Sequence, residues 1–379
     1  MTAKRILFVI NSIGRGGAEP SLFNLIRFLD RQRGPAFELH VALLDGDVEE
    51  RPMPKIVRKH VLFANGSMIK SVGRLSHLVG RVRPDLLVSY LIRANVATAI
   101  AGKAHRVPSI LCERMHLSSH LEQNHAGLRL LAARALPRLT YRAATAVIGV
   151  STGVTQDLIA NYGVSRKRAA TIFNSYDLAA TRLEAEAAPA IPLPERFLAA
   201  AGRLVRNKNF GQLIDAYAQV ADLPPLVIMG EGEERPALER RIAGHRLQGR
   251  ILLPGHVHNP APVFARADFY VASSLNEGFP NAMMEAMILG LPVVVANCPS
   301  GPAEILAGNA NLEVLGALPA EYGILVEPGS VEALVAGIRL LQRPAMVERY
   351  RAQSQRRADD FSTDRIMPAT LQLFESLMR

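Results

Sequence analysis

The sequence predicts an α/β protein of two doubly wound, Rossmann-like halves, each a parallel sheet flanked by helices. Three observations carry that expectation. The chain has 379 residues, beyond the size at which a single core keeps growing, so two domains are expected. Short apolar runs alternate with helical patterns along most of its length, the order of strand and crossover helix in a parallel sheet. Apolar residues make up 49% of the chain, enough for two cores, yet no run of about eighteen apolar residues is free of charge, so no membrane span is expected.

The N-terminus MTAKRILFVI leads directly into a strand without a cleavable signal, which points to the cytoplasm. Cys112 and Cys298 fall at strand ends in separate halves with no metal-ligand spacing, and read as reduced core thiols. In the first half, Lys4 to Ile10 is a strand, NSIGRGGAE a glycine loop, and Leu22 to Leu29 an amphipathic helix. The third glycine is misplaced for a dinucleotide fingerprint, so the loop by itself signals only a tight turn. Phe37 to Leu44 is the next strand. The Asp45-Gly46-Asp47 that follows has the Asp-x-Asp form of a metal site, but only two strands precede it and it reads as a turn, so no metal is expected. Further strands are expected at Lys59 to Ala64, Asp85 to Tyr90, Ser109 to Cys112, Ala146 to Val150 and Ala170 to Phe173. Helices are expected at about 67–82, 95–105 and 126–144, and Ser151 caps another that Gly163 ends.

Charge is unevenly distributed. Residues 1–180 carry 25 Lys and Arg against 12 Asp and Glu, and the remainder 19 against 22. The whole excess lies in the first half, which points to an anionic partner there: a membrane surface, a phosphorylated acceptor or nucleic acid. No aromatic stacking platform or zinc finger accompanies the charge, and nucleic acid is set aside. Arg129, Arg134, Arg138 and Arg142 lie near one face of a Leu/Ala-rich helix interrupted at Pro137. The plain reading is a solvated basic face over a packed apolar one; the sharper reading is a helix at an anionic membrane surface.

The Ala/Pro-rich stretch 179–195 is expected to link the halves. Beyond it, Phe197 to Ala201 is a strand followed at once by GRLVRNKNF. Arg203 and Lys208 straddle the strand-to-helix junction, where two cations beside a helix N-terminus can balance a pyrophosphate without a metal. Leu226 to Met229 ends in Gly230-Glu231-Gly232, small enough for a nucleotide to approach the backbone. The stretch on which the half turns is SLNEGFPNAMMEAMILG, residues 274–290. Pro280 suits a first helical turn and Gly290 a left-handed stop, giving a helix of roughly 280–289 between strands at 268–272 and 292–296. Its N-terminus opens at the carboxyl edge of the sheet. Glu277 sits just before it and Glu285 about a turn and a half inside, so two carboxylates flank the amides of Gly278, Phe279 and Asn281. Amides and dipole suit a phosphate and carboxylates suit vicinal hydroxyls: together, a nucleotide sugar. Three helices at about 330–342, 344–360 and 363–378 end the chain.

Glu277 and Glu285 with seven residues between them, the surrounding EGFPNAMMEAM and the later GPAEIL resemble the signature of retaining GT-B glycosyltransferases of family 4. Gly202, Arg203, Lys208 and Asn209 match the same pattern, and Asn174 and Asp177 match a junction motif in which Ser175 replaces a glycine. The resemblance implies a GT-B fold: two Rossmann-like domains facing each other across a cleft, over 1–178 and 196–360, with residues 361–379 crossing back onto the first. It implies that the GGAE loop with Gly16 and Gly17 lies near the donor phosphates, that Gly255, His256 and Val257 approach the base, and that Pro280 opens the donor helix. It also implies that His116, or His120 in its place, reaches the donor sugar's hydroxyls; His125 is left as a helix cap. Arg203 and Lys208 would then stabilise the leaving diphosphate, Glu277 the sugar and Glu285 the ribose, with same-face attack and no cofactor. The resemblance favours a UDP-linked hexose or N-acetylhexosamine and a lipid-linked or saccharide acceptor in surface polysaccharide or glycolipid assembly. A nucleotide-sugar epimerase and a non-catalytic binding subunit on the same scaffold are the alternatives.

Overall fold

The computed structural model describes residues 3–14, 17–31, 37–46 and 53–378, and its fold class is the expected one. The chain divides into two compact units, Met1–Ser175 with Thr363–Arg379, and Tyr176–Ser362. Each holds a seven-stranded sheet.

In the first unit the strands are β1 (Lys4–Ile10), β2 (Phe37–Leu43), β3 (Arg58–Val61), β4 (Leu86–Tyr90), β5 (Ser109–Glu113), β6 (Ala146–Gly149) and β7 (Ala169–Thr171). They run in the order β3-β2-β1-β4-β5-β6-β7, every pair parallel. β4 and β5 are buried throughout their length, which is why they read as continuous apolar runs rather than alternating ones. One face packs against the helix Ala18–Arg31 and the C-terminal helix Thr363–Leu377, whose Met367 and Phe374 enter the core with Met378 just beyond its end; the ring of Phe374 lies 6.5 Å from that of Phe8. The other face takes Leu75, Leu78, Val79, Ala94, Ala97 and Ala101 from two helices, Met68–Val82 and Ile92–His105, that pack side by side.

In the second unit the strands are β8 (Leu198–Ala201), β9 (Leu226–Met229), β10 (Ile251–Gly255), β11 (Tyr270–Ala272), β12 (Val293–Ala296), β13 (Ala317–Pro319) and β14 (Ile324–Val326). The order is β10-β9-β8-β11-β12-β14-β13, parallel except for the last pair. The strand order therefore reverses between β8 and β11. Such a switch point splays the following loops apart at the carboxyl edge and leaves a crevice for a ligand.

Several details depart from the sequence reading. The helix Gly127–Tyr141 runs through Pro137 without interruption. The loop expected after β5 winds into a helix, Leu117–Asn124, with His116 at its start and His125 at its end. The stretch read as a linker contains the helix Leu178–Glu184, begun by Asp177, whose carboxylate accepts from the Ala180 amide at 3.1 Å. Asp45 accepts from the Gly66 amide at 2.9 Å and pairs with Arg93, whose guanidinium holds its carboxyl below the usual range; Asp47 lies outside the described residues. Among the described residues no helix is long and apolar enough to cross a membrane.

Candidate active site

Three loops meet at the switch point of the second unit, each leaving the carboxyl end of a neighbouring strand. The loop after β8 carries Gly202, Arg203 and the 3-10 turn Arg206–Lys208. Asn209 takes a left-handed conformation, φ +51°, and starts the helix Phe210–Ala218 with its side chain turned to Gln212. The loop after β11 carries Glu277 and leads through Pro280 into the helix Asn281–Ile288, which buries Met283, Met284, Met287 and Ile288. Gly290 stops it at φ +76°, so the expected helix bounds hold to within a residue.

The loops are sewn to one another by backbone and side chain. Leu275 N donates to Asn207 O at 2.9 Å, and Asn207 Nδ2 to Asn276 O at 2.8 Å. The buried Ser273 hydroxyl is within reach of two carbonyls of the cation loop, Lys208 O at 3.1 Å and Asn209 O at 2.9 Å. On the other side Glu277 N donates to Pro299 O at 2.7 Å and Ser300 N to Glu277 O at 2.8 Å, tying in the loop after β12. The result is a close ion pair between Lys208 Nζ and Glu277 Oε1, with side chains 24% and 15% exposed. A long lysine on an open surface would be held loosely at a cost in side-chain entropy. Here its stem lies along Gly202, where a Cβ would sit 3.3 Å from Lys208 Cε.

The glycines are explained by approach rather than by local turns alone. A Cβ on Gly230 would lie 1.9 Å from Gly202 O, and one on Gly232 2.3 Å from Leu204 O, so the loops after β8 and β9 touch backbone to backbone. Gly301, at φ +109°, meets Pro280 at 2.7 Å in the same sense. The GPAEIL segment forms the buried helix Pro302–Leu306. Arg357 donates to Glu304 O at 2.7 Å and Ile305 O at 2.8 Å. It braces this helix from behind.

The buried Tyr270 phenol is pushed up by burial first and then by the charges of Glu277 and Glu285. Glu277 also raises the Cys298 thiol after burial does, while Lys208 lowers it. Glu285 is half-buried on the helix, and Gly278 is buried ahead of it. The Phe279 ring faces inward, 5.4 Å from Phe361, so this residue offers a ligand its backbone. Asn281, at the first helical position, accepts from the Tyr176 hydroxyl at 2.6 Å.

Other expected residues lie further out. Arg203 is exposed, and its guanidinium makes no ion pair among the described residues. Gly255 ends β10, and its carbonyl accepts from Gly230 N at 2.8 Å. Val257 is buried, and His256 is exposed with its ring edge-on to His258. In the first unit Gly17 is exposed just before the helix Ala18–Arg31, Gly16 lies outside the described residues, and Glu19 turns back to accept from Gly14 N at 3.3 Å. His116 Nδ1 accepts from Ser119 N at 3.4 Å and lies 2.8 Å from the Ser119 hydroxyl. An accepting Nδ1 makes Nε2 the donor in the neutral ring.

Behind His116 stands a network that the sequence did not signal. Glu113, 1% exposed at the end of β5, accepts from the Tyr141 hydroxyl at 2.7 Å and the Arg114 amide at 3.0 Å. Asn95 donates to Tyr141 Oη at 3.1 Å and accepts from Ser89 at 2.8 Å. Burial pushes the Glu113 carboxyl up to about 7, against the lowering effect of Tyr141 and of the Arg114 and Met115 amides. None of these partners is close in sequence except Arg114 and Met115.

Two family models match the chain: Glycosyltransferase Family 4 over residues 15–180 and Glycosyl transferases group 1 over residues 195–343. A relative from Campylobacter jejuni, N-acetylgalactosamine-N,N'-diacetylbacillosaminyl-diphospho-undecaprenol 4-alpha-N-acetylgalactosaminyltransferase, is 25% identical over 94% of this chain and 95% of its own. Among solved structures, Anabaena HepE in complex with UDP and glucose superposes with a TM-score of 0.76 at 22% identity, covering 98% of this chain and all of that one. Sucrose-phosphate synthase from Thermosynechococcus elongatus gives 0.79 at 18% identity over 99% of both chains. With a family 4 model on the first half, a group 1 model on the second and this fold throughout, the chain is a glycosyltransferase of the GT-B type.

Proposed function

We propose that the protein moves a hexose or N-acetylhexosamine from a UDP-sugar to a lipid-linked saccharide, with retention of anomeric configuration and without a metal. The observation that carries this reading is the Lys208–Glu277 pair, a cation and a carboxylate held side by side at the switch point. A diphosphate bound there would draw on the Lys208 ammonium, and a sugar hydroxyl would donate to Glu277. As the anomeric bond breaks, negative charge grows on the leaving phosphate oxygen. A fixed ammonium contributes most at that moment, and a metal's role is then filled by the side chain. Arg203, on its exposed loop, would add a second positive charge once a phosphate recruits it.

The loop after β9, exposed at Glu231 and Gly232, suits the nucleoside, and Glu285 suits the ribose hydroxyls. In the retaining route the acceptor hydroxyl attacks from the face the diphosphate leaves, and the departing phosphate takes the acceptor's proton. No separate general base is needed. The UDP of HepE and the N-acetylgalactosaminyl and undecaprenol terms in the Campylobacter relative's name support the choice of donor and acceptor class. The charge excess of residues 1–180 supports an acceptor that carries phosphate or sits at an anionic membrane.

The test is a thermal-shift panel of UDP, GDP and ADP with EDTA present, on the wild type and on Lys208→Ala. UDP should raise the melting temperature of the wild type and not of the variant, and EDTA should make no difference. A shift that EDTA abolishes would overturn metal independence, and a preference for GDP would overturn the donor. Binding without any transfer or slow hydrolysis of UDP-N-acetylhexosamine would favour a binding subunit instead.

A further inference from the structure

An amphipathic surface helix ordinarily hides its leucines, and the helix Gly127–Tyr141 does the reverse. Leu128 is 84% exposed, Leu131 63% and Leu139 67%, with Leu136 at 39%. The inward face is made by Pro137, Thr140 and Tyr141 instead. At 3.6 residues per turn Leu128, Leu131, Ala132, Ala135 and Leu139 all fall within about 60° of one outward line. Arg129 flanks this ridge on one side and Arg138 on the other, both exposed. Arg134 points nearer the buried side and is held by Glu122. The plain expectation of a packed apolar face is thus overturned.

The ridge is part of a wider bias. Of the eleven exposed large hydrophobic side chains among the described residues, eight belong to the first unit. The same half of the chain carries the whole positive excess. Exposed leucine and exposed arginine are therefore concentrated in this unit, and the helix holds four of its eight exposed large hydrophobics.

We propose that Gly127–Tyr141 is a bilayer-docking helix: its leucine ridge enters the interface of an anionic membrane while Arg129 and Arg138 meet lipid phosphates on either side. An apolar ridge bordered by cations matches a surface with an apolar interior and an anionic rim. A second copy of this chain is the poorer occupant on two counts. The four leucines together expose less than three whole leucine residues would, far short of the about 800 Å² per partner that a stable interface buries. The helix also contains no acidic residue, so two facing ridges would set arginine against arginine. The proposal rests on the transferase reading only for its purpose, bringing the enzyme to a lipid-linked acceptor; the binding itself is measured without any substrate.

The chain contains no tryptophan, so Leu131→Trp places a single reporter on the ridge. With vesicles of phosphatidylglycerol and phosphatidylcholine its emission should shift to the blue; pure phosphatidylcholine or high salt should reduce the effect at least severalfold. Leu131→Glu/Leu139→Glu, both at exposed positions, should lower cosedimentation with the anionic vesicles at least tenfold while leaving the UDP thermal shift unchanged. An unshifted emission in the presence of bound vesicles, or equal cosedimentation of the double variant, would overturn the proposal. So would a wild-type dimer that the double variant converts to monomer, since the ridge would then belong to a second copy. A failed transferase reading shows separately, as loss of the UDP shift in every variant.

Discussion

At the scale of single residues, Lys208 and Glu277, the pair on which the proposed function rests, are neighbours only in space. Each sits in a recognisable sequence pattern, though their pairing across 69 positions does not show in either one. Ser273 and Asn207 were not legible, because each works through a bond to a carbonyl 64 to 69 positions away and leaves no periodic trace. The same holds for Glu113, whose partner Tyr141 lies 28 positions on. Its raised pKa sets a pH dependence whose sign is fixed. The fold favours the protonated carboxyl, so the native state is undisturbed by this group below about 4.5 and bears a buried charge above about 7. Stability should fall as pH rises through that window, by on the order of 3 kcal/mol for a shift of this size. Glu113→Gln removes the titration. The melting temperature of the wild type minus that of the variant should therefore decrease from pH 5 to pH 8, and a flat difference would show the carboxyl to be ordinary.

At the scale of elements, legibility followed the punctuation. Pro280 and Gly290 bounded the donor-side helix correctly because both act through their own backbone. Pro137 misled for the same reason in reverse. A proline removes one hydrogen bond and crowds one carbonyl, but it is buried at the helix's inward face, where packing outweighs that loss. The face of the helix that packs could not be read either, since periodicity gives the spacing of leucines and not their direction. Glycine at 230 has its meaning at this scale, where two strand-ending loops touch. Gly230→Ala should drive a methyl into Gly202 O and part the loops after β8 and β9. Urea unfolding should show a loss on the order of 2–4 kcal/mol, and the UDP shift should fall because Lys208 rests on Gly202. Unchanged stability would mean that the two loops are not in contact.

At the scale of the whole molecule, alternation of strand and helix predicted two doubly wound parallel sheets, and both sheets do reverse direction beside their first strand. Which strands stand side by side was not legible, and it is the adjacency of β8 and β11 that brings residues near 203–209 and 273–281 together. Charge and apolar exposure, read over the first half together, single out one helix for the proposed membrane contact where neither did alone. The C-terminal helix adds a constraint of a different kind. Residues 363–377 complete the core against Phe8, yet 187 residues of the second unit, Tyr176–Ser362, are synthesised in between. A fragment ending at Ser175 should therefore aggregate or bind hydrophobic dyes, while 176–362 alone should unfold cooperatively; a soluble, cooperatively melting N-terminal fragment would refute this. On the ribosome the half that emerges first is the half that is finished last. It waits with an open apolar seam until residues 363–377 emerge to close it, and a nascent chain in that condition is a client for a chaperone.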